Sequence, residues 1–445
     1  MSKNEAGIII VGGGLAGLTT ACYLAREGRE VTVFEKSSVL GGRGTSLDSN
    51  GYRFNRGIHA IYSGGAMTEV LKELAIPYSG GTPKVAHILH EGKLYPAPLS
   101  TLSLLTNRLL GLRDKMELVR LFRSMARTNP VDVANMSVQQ WLNDHVRRPR
   151  VLSFMTAYAW TTTYCSALDV VSAEVFIVKT QLTLRHPVVY VDGGWQTLVE
   201  GLSNSAKSRG AHIFKGTSVE AIEEKNGRAS GVRLQDGKYV DASAIVLAVS
   251  PIEAARLIPN LNGAALSKIV EGFTPARVAC LDVALKSLPN PKYGIVQDLD
   301  HPRFMSTQSL YSQIAPEGGA LIYTFKQLDP NHPTDPHQDE RELEEFLDST
   351  QRGWRDVLIR KQFLPRMEAV EMLPTMTSVG YRGRPGPEAA RVPNLYVAGD
   401  WVGSGFLADP CFSSAREIAH LIIEKKRRED IMASPAQKAH IPDLA

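Results

Sequence analysis

The sequence predicts an α/β fold organised around a parallel sheet, and three observations near its start support this prediction. Residues 8–11 (IIIV) form an uninterrupted β-branched run, which is typical of a parallel strand covered on both faces. A glycine-rich turn and an amphipathic segment follow. A second β-rich run at residues 31–34 (VTVF) then ends at Glu35. This order of strand, turn, helix and strand predicts a βαβ unit.

The turn after the first strand fits the pattern G-x-G-x-x-G at Gly12, Gly14 and Gly17. The first glycine permits a tight turn, the second lets the backbone approach a pyrophosphate, and the third lets the helix lie close to the strand. Leu15 and Ala16 begin that helix, whose N-terminal amides and dipole attract phosphate. The unit is therefore predicted to be a Rossmann-type dinucleotide site.

Glu35 ends the second strand about 20 residues after the glycine motif, and Lys36 follows it. A carboxylate at that place can accept both hydroxyl protons of an adenosine ribose, and it argues against a 2′-phosphate. Both residues are therefore predicted to contact the cofactor. This unit taken alone serves NAD and FAD equally well.

Length and composition set the limits of the prediction. With 445 residues and 43% hydrophobic content, the chain is long enough for two or three domains and for an enzyme. A net charge of +4 is small for this length and gives no case for nucleic-acid binding.

Residues 1–6 contain no hydrophobic signal-peptide core. Residues 157–178 are apolar but are interrupted by Asp169 and Glu174, so we expect a buried helix and not a membrane span.

The four cysteines are widely scattered, with no C-x-x-C pair and no histidine at metal-ligand spacing. We therefore expect no metal site and a reducing, cytoplasmic environment.

A second motif gives the first family resemblance. Gly41, Gly42 and Arg43 place a guanidinium beside a flexible turn, where it can pair with a phosphate or a flavin dipole. The glycine motif, the late glutamate and GGR together resemble the flavin amine oxidase and phytoene desaturase superfamily, and the organisation is most similar to phytoene desaturase-like oxidoreductases. The resemblance implies an FAD-dependent oxidoreductase with a glutathione reductase-like FAD domain. No cysteine lies in a covalent-flavin motif, so noncovalent FAD is expected.

The resemblance extends to later segments. It implies that Gly57 and His59 lie near the isoalloxazine edge, that the strand of Val219 contacts the adenine, and that Gly399 and Asp400 meet the ribityl chain or the pyrophosphate. A helix from about residue 410 would then direct its N-terminus towards the flavin pyrimidine.

We expect the FAD-binding domain to be discontinuous, with an inserted α+β substrate domain and a helical subdomain. Its three parts are predicted at residues 1–80, 191–260 and 376–430. Residues 81–190 are expected to be largely helical and to face the substrate or a membrane, residues 261–375 to form the substrate-domain sheet and its helices, and residues 431–445 to be a flexible tail.

The sequence demands no catalytic side chain, but three candidates follow from the resemblance. His59 would lie near the flavin, where a structural hydrogen-bonding role competes with proton transfer. Lys326, in a predicted strand, would hold a water near the flavin as a lysine does in many amine oxidases. Phe406 matches one of the two aromatic rings that frame the flavin in those enzymes, and no second ring is evident.

Desaturation of a hydrophobic isoprenoid or lipid-like molecule is the function that this organisation favours. A flavin amine oxidase and a redox-neutral isomerase or cyclase are the enzymatic alternatives. A prenyl-binding carrier similar to Rab GDP-dissociation inhibitors is the non-enzymatic one, although a carrier should have lost the flavin contacts. The electron acceptor, whether O2, a quinone or another compound, is left open.

Basic residues interleave with Leu and Met over residues 102–127. This pattern indicates either peripheral attachment to the inner face of a membrane or an ordinary solvated helix face. The basic residues are Arg108, Arg113, Lys115, Arg120, Arg123 and Arg127.

Overall fold

The structure, a computed structural model, describes residues 6–258 and 264–433. Its helices are α1 (Leu15–Arg26), α2 (Ala66–Glu73), α3 (Thr101–Thr106), α4 (Leu112–Met125), α5 (Val138–His145), α6 (Pro149–Thr163), α7 (Ala173–Arg185), α8 (Gln196–Lys207), α9 (Pro251–Leu257), α10 (Ala264–Glu271), α11 (Pro336–Thr350) and α12 (Asp409–Ala433).

The strands alternate with these helices along the chain. They are β1 (Ile8–Val11), β2 (Val31–Glu35), β3 (Ser46–Ser49), β4 (Tyr52–Asn55), β5 (Ile61–Tyr62), β6 (Gly80–Gly81), β7 (His87–His90), β8 (Lys93–Pro96), β9 (Val188–Val191), β10 (His212–Lys215), β11 (Val219–Lys225), β12 (Arg228–Leu234), β13 (Tyr239–Asp241), β14 (Ala244–Leu247), β15 (Ala276–Leu285), β16 (Ile295–Asp298), β17 (Arg303–Ser306), β18 (Ala320–Gln327), β19 (Leu358–Val370) and β20 (Leu395–Val397).

A five-stranded parallel sheet forms the first layer, in the order β10-β2-β1-β14-β20. The side chains of β1 and β14 are all buried, because helices α1, α8 and α12 cover one face, and the three-stranded sheet β11-β12-β13 together with α9 covers the other. Strands that lie far apart in the sequence therefore share one core. The predicted Rossmann-type α/β fold is confirmed.

The glycine turn after β1 is as tight as the motif requires. Gly12 has φ +108°, a left-handed conformation that favours glycine. A Cβ atom added to Gly17 would lie 2.0 Å from the carbonyl oxygen of Gly12. The third glycine of the motif thus lets α1 start directly against the end of β1.

A second, seven-stranded sheet lies in the order β19-β15-β18-β17-β16-β7-β8. It is antiparallel except for the parallel pair β16 and β7. Strands β7 and β8 come from the stretch expected to be largely helical, and the helices of that stretch begin at α3. The β7–β8 hairpin instead extends the edge of the substrate-domain sheet.

Helices α3 to α7 form the helical part, and its core contains Trp141 and Phe176. A capping box begins α5, since the Ser137 side chain accepts from the amide of Gln140 and the Gln140 side chain accepts from that of Ser137. At the other end of the chain, α12 continues through residue 433, into the stretch predicted as a flexible tail. Residues 434–445 of that predicted tail lie outside the described residues.

Candidate active site

A large cavity opens at the carboxyl ends of β1, β2, β14 and β20, where ligands bind in open parallel sheets. Its wall combines residues from both ends of the chain. It brings together most of the residues predicted for the cofactor: Gly12, Gly14, Leu15, Ala16, Glu35, Lys36, Gly42, Arg43, His59, Val219, Gly399 and Asp400. Gly17 and Gly57 do not line the cavity and instead shape the backbone next to it.

The start of α1 forms one end of this cavity. The N-cap residue Gly14 provides no side-chain cap, and the first turn of the helix holds no acidic residue. The first amides of an uncapped helix remain free to donate, and they carry the positive end of the helix dipole. This end of the cavity therefore suits a phosphate.

Glu35 lies next to the glycine turn. Its carboxylate accepts from the amide of Gly13 at 2.6 Å and from that of Ser37 at 2.8 Å. These two bonds orient the side chain towards the cavity, which Glu35 lines beside Lys36. A carboxylate held in this way can accept from the two hydroxyl groups of a ribose.

Arg43 forms the centre of a charged cluster. Its guanidinium donates two bonds to Asp400, at 2.6 and 3.0 Å, and lies 3.6 Å from Glu371. The arginine keeps 40% of its side chain accessible, whereas Asp400 is only 3% exposed. Because all three residues line the cavity, the accessible part of Arg43 can meet an anionic ligand.

Both ring nitrogens of His59 meet backbone carbonyl groups. Nδ1 lies 3.0 Å from the oxygen of Gly57 and Nε2 lies 3.1 Å from that of Arg43. Burial lowers the pKa of this imidazole. The ring also contacts Trp195 edge-on, at 4.7 Å between ring centroids. This geometry favours the structural role of His59, which ties the GGR loop to the segment around Gly57.

Two of the catalytic candidates lie away from the cavity, and both need correction. The ammonium group of Lys326 forms ion pairs with Asp339 at 2.9 Å and Glu342 at 2.6 Å on α11. Phe406 is buried in the core at 2% exposure, and its neighbour Leu407 lines the cavity in its place. Neither side chain reaches the place that the resemblance implied.

Many residues of the wall were missed by the sequence analysis, and three of them have large aromatic or charged side chains. Tyr164 follows α6, Trp195 precedes α8, and Glu371 follows β19. Trp195 had a visible signal, since it follows Gly193 and Gly194. Tyr164 and Glu371 had none, because they belong to no motif and reach the cavity only through long-range packing.

The cavity fits a flavin dinucleotide on the observations above. Its uncapped helix start and Arg43 suit the diphosphate, and the carboxylate of Glu35 suits the ribose. At Gly14, a Cβ atom would meet no atom closer than 4.0 Å, so the loop leaves open space on the ligand side.

The sequence profile of the flavin-containing amine oxidoreductase family matches residues 15–423. The chain belongs to this family. It is an FAD-dependent oxidoreductase, as the resemblance implied, and the carrier alternative does not hold.

Curated relatives are similar to the chain at low identity. The 4,4'-diapolycopen-4-al dehydrogenase of Metabacillus indicus is 22% identical over 497 residues, covering 96% of this chain and 99% of that protein. A 4,4'-diaponeurosporene oxygenase of Staphylococcus aureus is 22% identical over 346 residues, covering 68% of this chain and 66% of that protein. Among solved structures, an oxidoreductase from Methanosarcina mazei superposes with a TM-score of 0.76 at 21% identity, covering 93% of this chain and 99% of that one. The structural likeness supports the fold alone.

Within residues 6–258 and 264–433, no group of three or more His, Cys, Asp or Glu side chains could hold a metal ion. In the same ranges, no helix is long and apolar enough to cross a membrane.

The buried carboxyl group of Glu371 leads us to predict that FAD binding depends on pH. Burial raises the pKa of its carboxyl group to about 7, against the attraction of the Arg43 guanidinium. A diphosphate entering the same cavity disfavours the ionised carboxylate, so FAD binds the protonated form better. We expect FAD affinity to fall about tenfold between pH 6 and pH 9, which corresponds to a further rise of about one pKa unit in the complex. Fluorescence titration of the apoprotein with FAD measures this slope.

Two variants test whether Glu371 causes this pH dependence of FAD affinity. Glu371→Gln should bind FAD with an affinity that is flat over this range. Glu368→Gln is the matched control, because Glu368 also lines the cavity but pairs with Arg277 at 3.1 Å. A slope that survives in Glu371→Gln would exclude this carboxyl group as its source.

Proposed function

We propose that the chain desaturates a hydrophobic isoprenoid or lipid-like small molecule, with FAD held noncovalently by the cavity residues that the sequence motifs predicted. When bound, FAD supplies the hydride acceptor, flavin N5. Bound FAD would accept the hydride of a substrate C–H bond, and loss of a proton from the neighbouring carbon would leave a C=C bond. An electron acceptor such as O2, a quinone or another compound would take the two electrons from the reduced flavin.

The observation that carries this proposal is the apolar wall beside the dinucleotide motifs. Aromatic and aliphatic side chains also line this cavity, namely Ile58, Tyr164, Trp195, Met367 and Leu407. Such a wall excludes water from the reacting carbons and binds an apolar chain by burial. The 4,4'-diapolycopen-4-al dehydrogenase and the 4,4'-diaponeurosporene oxygenase, each 22% identical to the chain, support the same broad class of hydrophobic substrate.

The chain's own residues have limited tasks in this reaction. Both ring nitrogens of His59 lie 3.0–3.1 Å from backbone carbonyl oxygens, and the single N–H of the neutral ring donates to one of them. We therefore assign His59 a structural role and no proton transfer to the substrate. Desaturation tolerates a weak or water-mediated base, because the departing hydride acidifies the neighbouring C–H bond. The wall therefore acts mainly by orienting the substrate and excluding water.

Anaerobic bleaching of the bound flavin tests the proposal. The FAD-loaded protein is mixed with acyclic isoprenoids, polycyclic lipids and amines, and the flavin absorbance is followed. Bleaching by the isoprenoids or the lipids supports desaturation. Bleaching by amines alone would establish the amine oxidase alternative instead. Conversion of an isoprenoid only after prior reduction of the flavin would establish the redox-neutral isomerase or cyclase.

We further propose that the helical part attaches peripherally to an anionic membrane, from which an apolar substrate could enter. Helix α3 buries none of its residues. Four leucines around it are strongly exposed: Leu99 at 58%, Leu102 at 72%, Leu105 at 69% and Leu112 at 76%. Arg108, Arg113 and Arg120 are exposed beside them. Apolar and basic groups on one surface fit a bilayer with negatively charged headgroups.

Vesicle co-sedimentation tests the membrane proposal. We expect the protein to bind phosphatidylglycerol vesicles more strongly than phosphatidylcholine vesicles. The double variant Leu102→Glu with Leu105→Glu should weaken binding at least about 100-fold, since each inserted leucine contributes roughly 2 kcal/mol. Ile252→Glu is the control, because this isoleucine on α9 is 70% exposed but lies outside the surface. Equal losses in both variants would contradict the assignment of the surface.

A further inference from the structure

Three arginines surround a recess at the end of α4 that neither the FAD site nor the proposed desaturation uses. This arginine recess has a volume of about 480 Å³ and is lined by Arg120, Arg123, Ser124, Arg127 and Thr128. Within the described part of the chain, no acidic residue lines it, and none of the three guanidinium groups has an ion-pair or hydrogen-bond partner. The recess therefore offers three uncompensated positive charges to a ligand.

The arginines share one face of α4 and of the turn that follows it. They stand at positions i, i+3 and i+7, and the chain keeps a helical turn beyond the end of α4, because the amide of Arg127 donates to the carbonyl oxygen of Ser124 at 2.9 Å. Residues three or four apart on a helix lie about 5–6 Å apart at Cβ, so the guanidinium groups can reach one ligand together. Like charges at this spacing repel each other, and an anion in the recess would relieve that repulsion.

The carbonyl groups at the end of α4 do not oppose an anion here, because donors within the chain already satisfy them. The side-chain amide of Gln181 donates to the carbonyl oxygens of Met125 at 2.8 Å and Thr128 at 2.7 Å. The carbonyl oxygen of Ser124 accepts from the amide of Thr128 at 3.0 Å as well as from that of Arg127. These bonds offset the negative end of the helix dipole, so the guanidinium groups dominate the recess.

The acidic residue of α4 that is closest in sequence to these arginines is engaged elsewhere. One carboxylate oxygen of Glu117 accepts from the amide of Arg147 at 2.6 Å, and the other is buried. The hydroxyl group of Ser124, by contrast, lies on an exposed residue and has no hydrogen-bond partner in the described ranges. It adds a fourth donor to the recess.

The recess continues the exposed leucine surface of the helical part. Leu112 and Met116, at 76% and 48% exposure, precede Arg120 by eight and four residues on the same face of α4. Arg120 therefore lies about 12 Å along the helix axis from Leu112. The headgroup layer is about 5–8 Å thick on each side of the hydrocarbon. When α4 is steeply inclined, with Leu112 in the hydrocarbon, the recess lies at the level of the lipid headgroups.

We propose that the arginine recess binds the phosphomonoester headgroup of an anionic lipid, such as phosphatidic acid. A phosphomonoester carries a charge of about −1.5 to −2 and three acceptor oxygens. The phosphodiester of phosphatidylglycerol carries a single charge and leaves only two oxygens free. Three guanidinium groups, each able to donate two bonds to phosphate, match the monoester better. This inference rests on the proposed membrane attachment, since it names the headgroup that the same surface selects.

Co-sedimentation of the FAD-loaded protein with two kinds of vesicle tests the inference at pH 7.5. Phosphatidylcholine vesicles contain either phosphatidic acid or phosphatidylglycerol, in amounts adjusted to give the same zeta potential. We expect at least about fivefold tighter binding to the phosphatidic acid vesicles. Arg123→Gln combined with Arg127→Gln should reduce this preference to about one. The charge-matched control combines Arg352→Gln with Arg382→Gln, two exposed arginines outside this face, and should keep the preference.

Glycerol 3-phosphate distinguishes a lipid headgroup from a free phosphate, because it carries the monoester without acyl chains. We expect it to displace the protein from phosphatidic acid vesicles only at millimolar concentration. Calorimetric binding of glycerol 3-phosphate as tight as binding to the vesicles would assign the recess to a soluble phosphate and overturn the lipid proposal. Equal binding to the two kinds of vesicle, or a preference that survives in the Arg123 and Arg127 variant, would also overturn it.

The headgroup site and the membrane surface fail separately. Binding to phosphatidylglycerol vesicles that depends on Leu102 and Leu105, without a preference for phosphatidic acid, would keep the membrane attachment and exclude the headgroup site. A preference for phosphatidic acid that depends on Arg123 and Arg127, but survives in the double leucine variant, would keep the site and exclude the leucine surface. Absence of binding to both kinds of vesicle would exclude both.

Discussion

Replacing Glu35 and Arg43 together by alanine is expected to yield a folded protein that purifies without FAD. Glu35 is oriented by the amides of Gly13 and Ser37. Arg43 supplies the positive charge of its cluster on the cavity wall. A hydrogen bond to a charged group contributes about 1.5–3 kcal/mol, so losing both contacts should weaken FAD binding by about 10² to 10⁴-fold. The ratio of flavin absorbance to protein absorbance after purification measures the loss.

A matched control uses an ion pair outside the cavity. Arg233 and Glu223 pair on the β11–β12 hairpin, and their double alanine variant should retain flavin fully. Circular dichroism checks that both proteins are folded. Full flavin occupancy in the Glu35 and Arg43 variant would refute the assigned cofactor site.

The second prediction compares two glycines of the G-x-G-x-x-G motif, of which Gly17 serves the fold and Gly14 serves the ligand site. Gly17→Ala should destabilise the protein by on the order of 3 kcal/mol or more, because the added Cβ atom would lie 2.0 Å from the Gly12 carbonyl oxygen. That oxygen belongs to the backbone and cannot move aside cheaply. Gly14→Ala should fold normally, since its Cβ atom meets no protein atom within 4.0 Å, yet it should lose FAD because this atom enters the cavity.

Urea unfolding and flavin content distinguish the two variants. The expected pattern is low stability for Gly17→Ala, and wild-type stability without flavin for Gly14→Ala. A Gly14→Ala protein that binds FAD with wild-type affinity would show that the ligand does not approach this loop. A Gly17→Ala protein of wild-type stability would contradict the close contact between α1 and β1.

Lys326 illustrates why part of the site escaped sequence analysis. The strand assignment was right, but side chains alternate between the two faces of a sheet, so a single position decides the environment. Lys326 faces α11 and its acidic residues. Its neighbour Phe325 faces the other side and stacks on Tyr164, with 5.3 Å between ring centroids. A resemblance without a secure register could not distinguish these faces.

The cluster of Arg43, Glu371 and Asp400 shows a second limit of prediction from the sequence. Arg43 and Asp400 each belong to a motif, and their roles could be expected. Glu371 follows a strand of the other sheet, and its amide donates to Asp400 at 3.0 Å. Contacts between residues more than 300 positions apart depend on how the two sheets pack, and no local pattern reports that packing.

The sequence by itself determined the fold class and a dinucleotide site, because a glycine turn, a helix start and a buried strand depend on local backbone sterics and hydrogen bonding. The choice of FAD came from the family resemblance that Gly41, Gly42 and Arg43 carry. The tertiary structure alone decided which side chains of the inserted segments face the cavity. Tyr164 and Glu371 acquire their places on the cavity wall from neighbours that are distant in sequence. Burial among those neighbours raises the pKa of Glu371 to about 7, so its chemistry follows from packing.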